Sequence, residues 1–372
     1  MIAVPWQPRY TLTSPIARSL MEIEASRAVV EHIALPPAVQ SELRRRARLR
    51  STHYSTRIEG NRLTLAEAQQ VVEGRLRHLG ARERDAGEVR NYWNALLRVE
   101  EWAAQRTRLT EALIQRLHGL VERGHRARPS PYRSGQNMIR DSESGAIVYL
   151  PPEAKDVPAL MADLVDWVEQ AEADLLPAPI IAGLAHYQFV TIHPYFDGNG
   201  RTARLLATFL LHRGSYGLNG VFSLEERHAL DLAAYYRSLA VHPHHNYYEG
   251  RAEVDLTPWL DYFLETLATV FAVAKEEALR RTSEGPRTEP EAFRKLDPRA
   301  RVVLDHFSRS ELITSGDVAS ILGLSDRTSR ELLQGWVQDG WLEIADPSRR
   351  RRSYRLTAVY RRFIGGLSAE PE

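Results

Sequence analysis

Apolar side chains recur at spacings of three and four residues along most of this chain, and polar side chains fill the positions between them. This period is typical of helices that bury one face, and it continues to about residue 280. Thr64 followed by Glu67 predicts a capping box at the start of one such helix. The predicted helices cover 16–33, 37–60, 64–79, 86–104, 109–123, 158–172, 179–192, 200–213, 224–239 and 256–280.

The helical pattern is interrupted over residues 124–157, where proline, glycine and serine are frequent. Two short extended runs, QNMIR and AIVYL, flank the polar stretch DSESG. This arrangement predicts a β-hairpin at about 136–149, with a loop longer than the tightest type. The alternative is an edge ribbon that only packs against the core.

Residues 282–298 combine proline, glycine and charged side chains, and they predict a linker. Beyond it the pattern predicts three helices and then two short strands, which is the order found in a winged helix. The sequence therefore predicts a mainly α fold in which a helical core precedes a winged-helix domain. The predicted parts are an N-terminal helical region at 1–104, the core at 105–281, the linker at 282–298 and the winged helix at 299–366.

Composition and charge narrow the class of protein. The 372 residues include 43% hydrophobic and 26% charged side chains with a net charge of +1, as expected for a globular protein of two or three domains. This charge gives no overall attraction to nucleic acid or membrane. The absence of cysteine excludes disulfides, thiolate catalysis and cysteine metal sites. Without a leader or a long apolar run, we expect a cytoplasmic protein that does not span a membrane.

One string, HPYFDGNGRTAR at residues 193–204, combines several groups that bind phosphate. Gly198 and Gly200 permit a tight loop whose backbone N–H groups lead into a helix N-terminus, which attracts anions. Arg201 and Arg204 share one face of that helix, where two positive charges are unfavourable for the helix alone. A bound polyphosphate would explain them, because arginine binds phosphate oxygens in bidentate fashion.

Two further side chains of the string add chemistry to this anion site. Asp197 lies where a carboxylate beside a triphosphate would hold Mg²⁺. His193 precedes the loop and can accept a proton near neutral pH. Each fragment alone is common in structural turns, but together they serve one chemistry. The sequence therefore predicts that the string binds a nucleoside triphosphate.

The string resembles the Fic motif, His-x-Phe-x-(Asp/Glu)-Gly-Asn-Gly-(Arg/Lys)-x-x-Arg. It departs from the motif at Tyr195, where the family usually has Phe, and we expect Tyr to anchor the loop if its hydroxyl finds a partner. The resemblance extends over about residues 50–270 and includes EVRNYWNAL, YRSGQNMI and VYLPP. It implies an all-helical Fic core in which the hairpin at about 136–149 is the flap that binds a protein target as an added strand.

The resemblance also implies an activity, the transfer of AMP from ATP to a Ser, Thr or Tyr hydroxyl of a protein. It implies that His193 is the general base, that Asp197 holds Mg²⁺ and that Arg204 binds the γ-phosphate. It places the adenine near Tyr236, for which a simple core aromatic is the alternative. The implied nucleotide contacts are Gly198, Asn199, Gly200, Arg201, Thr202, Ala203, Arg204 and Tyr236.

A second string, STRIEGN at 55–61, resembles the inhibitory motif of the same family, (Ser/Thr)-x-x-x-Glu-(Gly/Asn). Ser55, Glu59 and Gly60 occupy its three defined positions. The resemblance implies that Glu59 pairs with Arg204 and so occupies the arginine that the γ-phosphate needs. Its place before the core corresponds to the class that is inhibited by an N-terminal helix of the same chain.

Other functions stay open at this point. Some relatives remove AMP, and Glu59 leaves that reaction possible. Others transfer phosphate or different nucleotide fragments, but those that phosphorylate have Lys at the second glycine, where this chain has Gly200. A third alternative is a DNA-binding regulator in which the Fic domain only senses nucleotide.

Partners of the C-terminal part are equally open. Arg327, Arg330 and the basic run at 349–352 favour DNA, whereas the acidic Asp326 and Glu331 on the same helix weigh against it. Protein contact and a purely structural role are the alternatives. The oligomeric state is also open, although proteins that resemble this one commonly form homodimers. The histidine-rich HPHHNYYEGR lacks the spacing of a metal site and is predicted to be a loop beside the active site.

Overall fold

The computed structural model describes residues 5–33, 35–75, 82–124, 128–140, 145–242, 244–250, 253–283, 296–308, 310–348 and 352–364. These residues are mainly helical and include one small hairpin before the C-terminal part, so the predicted fold class is confirmed. The helices up to residue 283 are α1 (Ser14–His32), α2 (Pro37–Ile58), α3 (Leu65–Val72), α4 (Glu83–Ala104), α5 (Glu111–Arg123), α6 (Val157–Ala173), α7 (Ala178–Ile192), α8 (Asn199–Arg213), α9 (Leu224–Leu230), α10 (Leu232–Leu239) and α11 (Thr257–Ser283).

The described residues within 1–31 and 48–275 form one compact unit, and those within 32–47 and 276–372 form another. The predicted domain boundaries stay predictions. In the first unit α7 lies at the centre and packs against α6 and α8, and α8 also contacts α4 and α5. Helix α7 is buried along nearly its whole length because small residues let its neighbours approach. A Cβ on Gly183, for example, would lie 2.8 Å from the Phe263 ring.

The predicted hairpin is present with shorter strands than expected, β1 (Ile139–Arg140) and β2 (Ile147–Tyr149). The strands are antiparallel, and a bulge shifts the register between Ile139, which pairs with Tyr149, and Arg140, which pairs with Ile147. Residues 141–144 of the predicted loop lie outside the described residues.

Two helix boundaries differ from the prediction. The helix expected over 64–79 ends at Val72, where Gly74 has a left-handed φ of 69°, and residues 76–79 lie outside the described residues. The helix expected over 224–239 is divided at Asp231, whose carboxylate accepts the Ala234 N–H at 2.9 Å. The Asp231 cap thus starts a new helix even though the apolar spacing continues without a break through this position.

The C-terminal part consists of α12 (Pro298–Leu304), a 3₁₀ turn, α13 (Ser315–Leu322), α14 (Asp326–Gln338), an antiparallel pair of strands and α15 (Ala358–Ile364). The strands are β3 (Leu342–Asp346) and β4 (Ser353–Leu356). A buried apolar cluster that includes Val318, Leu333 and Trp336 joins these elements. The order is that of the predicted winged helix, which stays a prediction as a fold assignment.

The arginines of α14 are paired with acidic side chains of the same helix. Arg327 donates to Glu331 at 3.2 Å, and Arg330 lies 3.8 Å from Asp326, with all four side chains exposed. DNA or protein contact at this helix therefore stays a prediction. Among the helices that the structure describes, none is long and apolar enough to cross a membrane.

Candidate functional site

The predicted phosphate loop lies between α7 and α8, as expected. Helix α7 ends at Ile192, and His193 follows as its C-cap in a left-handed conformation with φ 52°. Helix α8 begins after Gly198, which has φ 75°. The loop between them is folded by the buried Asn199, whose amide oxygen accepts the Tyr195 N–H at 3.0 Å and whose amide nitrogen donates to the Tyr195 carbonyl at 2.9 Å. The Asn199 side chain therefore fixes the conformation of the loop.

The half-buried imidazole of His193 is arranged to act as a base. Its Nδ1 lies 3.2 Å from the Val190 carbonyl, which can only accept, so Nδ1 carries the hydrogen and Nε2 keeps a lone pair. Burial lowers the pKa of His193 to about 4, although the Val190 hydrogen bond and the Glu59 charge act in the opposite direction. The ring is therefore neutral at physiological pH.

Arg133 fixes the backbone at His193, and the sequence reasoning did not single it out. Its buried guanidinium donates to the carbonyl of His193 at 2.9 Å, to that of Gly135 at 3.0 Å and to that of Pro152. Its own N–H donates to the Pro194 carbonyl at 2.9 Å. Arg133 thus joins the loop between α7 and α8 to both ends of the hairpin segment, and its place in the YRSGQNMI string was the available signal.

The first turn of α8 forms the predicted anion cradle. The N–H groups of Asn199, Gly200 and Arg201 are the ones without an intrahelical acceptor at a helix start. Thr202 and Ala203 lie in the same turn but are fully buried, and the Thr202 N–H already donates to the Gly198 carbonyl at 3.0 Å. Among the predicted nucleotide contacts, Thr202 and Ala203 are therefore the least accessible to a ligand.

Arg201 is held by two carboxylates. Its nearly buried guanidinium donates to Glu122 at 2.9 Å and lies 3.5 Å from Asp197, and its Nε has no partner among the described residues. Burial raises the pKa of Glu122, whereas the Arg201 charge opposes this shift. Glu122 was missed because it lies 79 residues from Arg201 in the sequence, and nothing local marks it.

A cavity of about 170 Å³ adjoins the predicted metal ligand Asp197. The Asp197 carboxylate is 62% exposed and accepts the Gly198 N–H at 2.7 Å. Among the described residues no three histidine, aspartate or glutamate side chains could together hold a metal ion. A carboxylate beside a phosphate cradle nevertheless fits Mg²⁺, which commonly takes one or two protein carboxylates together with phosphate oxygens and waters. The cavity is lined by Arg84, Gly87, Glu88, Asn91, Glu122, Asp197 and Arg201.

The predicted inhibitory residues lie against Arg204. The Arg204 guanidinium, only 2% exposed, donates to the Glu59 carboxylate at 2.8 Å. It also donates to the Ser55 hydroxyl at 2.8 Å and to the Ser55 carbonyl at 2.9 Å. Burial alone would lower the pKa of Arg204, but the charge and hydrogen bond of Glu59 together with the nearby Tyr235 and Tyr92 outweigh it, and the pKa is raised. Gly60 follows with a left-handed φ of 91° and ends the segment.

The Glu59 carboxylate also covers the cradle itself. A Cβ on Gly200 would lie 2.3 Å from the Glu59 Oε1 atom, so the carboxylate rests directly on the glycine backbone. Tyr236 on α10 is 48% exposed and lies close enough for the Glu59 charge to add to the pKa-raising effect of burial. The structure thus brings Tyr236 to the same site as Glu59 and Arg204.

Tyr195 anchors the loop in the core without the polar partner that we expected for it. Its ring is 2% exposed and stacks on His118, with 3.6 Å between ring centroids. Its hydroxyl has no hydrogen-bond partner among the described residues. The His118 Nε2 lies 2.8 Å from the Asp197 carbonyl, and burial lowers the His118 pKa to about 4. Stacking therefore holds the loop, and the extra hydroxyl adds nothing to it.

Gly198→Ala is expected to lower the free energy of unfolding by about 1–2 kcal/mol, because an L-residue is strained at φ 75°. Its Cβ would also lie 2.4 Å from the Glu122 Oε1 atom, which must move. Denaturant unfolding measures the change. The matched control is Gly87→Ala in α4, where a Cβ meets nothing within 4 Å and where alanine favours the helix by about 0.5–1 kcal/mol. Equal stabilities of the two variants would contradict the prediction.

Part of the chain matches the model of a known family. Residues 108–211 match the model of the Fic/DOC family. Over 199 residues the chain is 31% identical to a protein adenylyltransferase Fic from Drosophila willistoni, an alignment that covers 54% of this chain and 39% of that protein. The chain spans about two fifths of the length of the curated relatives that it matches.

Solved structures agree with this family. A Fic family protein from Desulfovibrio desulfuricans G20 is similar with a TM-score of 0.60 and 29% identity, covering 95% of this chain and 99% of that one. A Fic domain containing signaling protein from Bacteroides thetaiotaomicron VPI-5482 is similar with a TM-score of 0.59 and 23% identity, covering 72% of this chain and 97% of that one. The second likeness concerns the fold alone.

Proposed function

This chain carries a Fic/DOC family domain over residues 108–211, and we propose that it is an autoinhibited enzyme that transfers AMP from ATP to protein hydroxyl groups. One observation carries the proposal. A neutral His193, the free N–H groups at the start of α8 and the buried Arg204 converge on one glycine loop, and Glu59 occupies that arginine at 2.8 Å. The relatives named protein adenylyltransferase Fic support the same reaction.

In the proposed reaction the target hydroxyl oxygen attacks the α-phosphorus of ATP. Its proton passes to the Nε2 atom of His193, and the bond from the α-phosphorus to the β-phosphate oxygen breaks, so that pyrophosphate leaves. The α8 N-terminus and Arg204 would hold the phosphates in line, which supplies most of the positioning that phosphoryl-type transfer needs. A Mg²⁺ ion at Asp197 would neutralise phosphate charge.

We further infer that the protein target binds at the hairpin. Met138 is 41% exposed, Ile147 45% and Val148 39%, and together they offer apolar side chains along a short edge. Asn137 donates to the Tyr195 carbonyl at 3.1 Å, which holds this edge beside the loop that contains His193. An added strand would bring its hydroxyl to the base through main-chain hydrogen bonds.

The test uses the Glu59→Gly variant with Mg²⁺ and ATP labelled either at the α-phosphorus or at the γ-phosphorus, with the chain itself as acceptor. We expect α-label in the protein and the mass of one AMP in its intact mass spectrum. Incorporation of γ-label alone would mean phosphate transfer instead. Absence of both labels from the variant, from added proteins and from its Glu59 parent would contradict the proposal.

Arg133→Lys is expected to lower kcat of the Glu59→Gly enzyme by about 10- to 100-fold, because lysine cannot reach the three carbonyls and a small displacement of the base is costly. KM for ATP is expected to change little, since Arg133 does not contribute to the cradle. The matched control is Arg140→Lys on the same hairpin, an exposed arginine with one carbonyl contact, to Gly145 at 2.9 Å. A similar kcat for both variants would show that Arg133 does not position His193.

A further inference from the structure

One buried carboxylate has no place in the proposed reaction. Glu225, near the start of α9, is 2% exposed. It accepts hydrogen bonds from the hydroxyls of Ser51 at 2.7 Å, Tyr92 at 2.9 Å and Ser223 at 3.3 Å. Among the described residues no lysine or arginine forms an ion pair with it. A buried carboxylate is unfavourable unless it is well hydrogen-bonded, so Glu225 favours the arrangement in which all three hydroxyls stay in place.

Two of these hydroxyls lead to the inhibitory segment. Ser51 lies on α2, and Ser55 follows four residues later on the same face of that helix. Ser55 binds Arg204 through both its hydroxyl and its carbonyl. Tyr92 of α4, which donates to the same carboxylate, lies beside Ser55. Glu225 therefore contacts α2 through Ser51 and α4 through Tyr92.

The end of α2 needs such a restraint. Helix α2 ends at Ile58, and Glu59 lies one position beyond it, where a helix end frays readily. The Glu59 N–H donates to the Thr56 carbonyl at 3.1 Å, which is a local bond that does not fix the segment against the core. The buried Ser51 and Ser55 contacts do fix it, because they join α2 to α9 and α8.

Resting on the proposed function, we propose that Glu225 is a positioning residue for autoinhibition. Through Ser51 and Tyr92 it holds α2 where Glu59 reaches Arg204. Loss of this anchor frees the end of α2, and Arg204 becomes available to the γ-phosphate for a larger fraction of the time.

The test compares Ser51→Ala and Glu225→Gln, each with Glu59 intact and in the Glu59→Gly background. Ser51→Ala removes only the hydroxyl, and alanine favours the helix, so α2 itself is not weakened. With Glu59 intact, we expect each variant to raise AMP incorporation by about 10-fold, the lower end of the range for one hydrogen bond to a charged group. In the Glu59→Gly background we expect no increase, because the residue that the anchor positions is absent.

The matched control is Thr52→Val on the same helix. The Thr52 side chain is fully buried, and its hydroxyl has no partner among the described residues, so this change removes a hydroxyl that anchors nothing. We expect no activation by Thr52→Val. Thermal unfolding of each variant checks that the core stays folded.

Several outcomes would overturn the proposal. The Glu225 anchor does not control Glu59 if the Ser51→Ala and Glu225→Gln variants are as inactive as the parent while the Glu59→Gly variant is active. Equal changes in both backgrounds would mean a general effect on the core. Hydrogen exchange of residues 48–58 without nucleotide gives a readout that needs no activity, and we expect faster exchange in Ser51→Ala but not in Thr52→Val. If hydrogen exchange in Ser51→Ala is unchanged, Glu225 does not anchor α2 and the proposal is rejected. If exchange in Ser51→Ala is faster but the Glu59→Gly variant is inactive, only the proposed function is rejected.

Discussion

Replacing Glu59 with glycine is expected to raise the rate of AMP incorporation by about 10²-fold. Arg204 is 2% exposed and donates to Glu59 at 2.8 Å, so removal of the carboxylate breaks a largely buried pair. Breaking a buried ion pair typically changes the free energy by about 3–5 kcal/mol. The lower end of this range applies because the Glu59 side chain is 31% exposed. The carboxylate also rests on Gly200, where phosphate oxygens would bind, so its removal opens the cradle as well.

The measurement is the initial rate of label transfer from α-labelled ATP in the purified parent and variant. Glu59→Gln is the conservative control, since it keeps the shape but loses the charge-assisted bond, and we expect an intermediate rate. Equal rates for parent, Glu59→Gln and Glu59→Gly would remove Glu59 from any inhibitory role.

His193→Ala in the Glu59→Gly background is expected to lower the rate of AMP transfer by about 10²- to 10⁴-fold, which is the usual contribution of a general base. The ring is already neutral at physiological pH, because burial lowers its pKa to about 4, so Nε2 is ready to accept the hydroxyl proton. ATP affinity is expected to change little, since the cradle is built from α8 and not from this ring. Single-turnover rates and ATP binding by calorimetry separate the two effects.

The control for His193→Ala separates loss of the base from strain in the backbone at position 193. His193 has φ 52°, a conformation that alanine adopts at a cost and that asparagine tolerates better. His193→Asn therefore keeps the loop geometry without supplying a base. A His193→Asn enzyme that retains most of the parent rate would show that another group takes the proton.

Local features of this fold were predictable from the sequence. The capping box at Thr64 is present, because Thr64 and Glu67 exchange hydrogen bonds within one turn. The loop between α7 and α8 also follows from residues close in sequence, namely a proline and two glycines. The break at Asp231 was predictable in principle, since aspartate favours a helix start, but the apolar period continues through it.

The remaining site residues depend on contacts between distant parts of the chain. Arg133 binds the backbone 60 residues away, and Glu225 binds Ser51 174 residues away. No periodicity or spacing connects such positions, because the tertiary packing of the helices alone brings them together. Glu59 and Arg204 lie 145 residues apart in the sequence. Only the resemblance to a family motif indicated beforehand that they form a pair.

The burial of Arg204 has a consequence for how the site changes state. A guanidinium that is 2% exposed is unfavourable without an anion, so under the proposed function a polyphosphate would take the place of the Glu59 carboxylate at Arg204. Activation would then follow the law of an ion-exchange equilibrium, in which carboxylate and polyphosphate compete for one fixed cation. Dissolved salt screens such a buried exchange only weakly, so the balance depends on the concentration of polyphosphate more than on ionic strength.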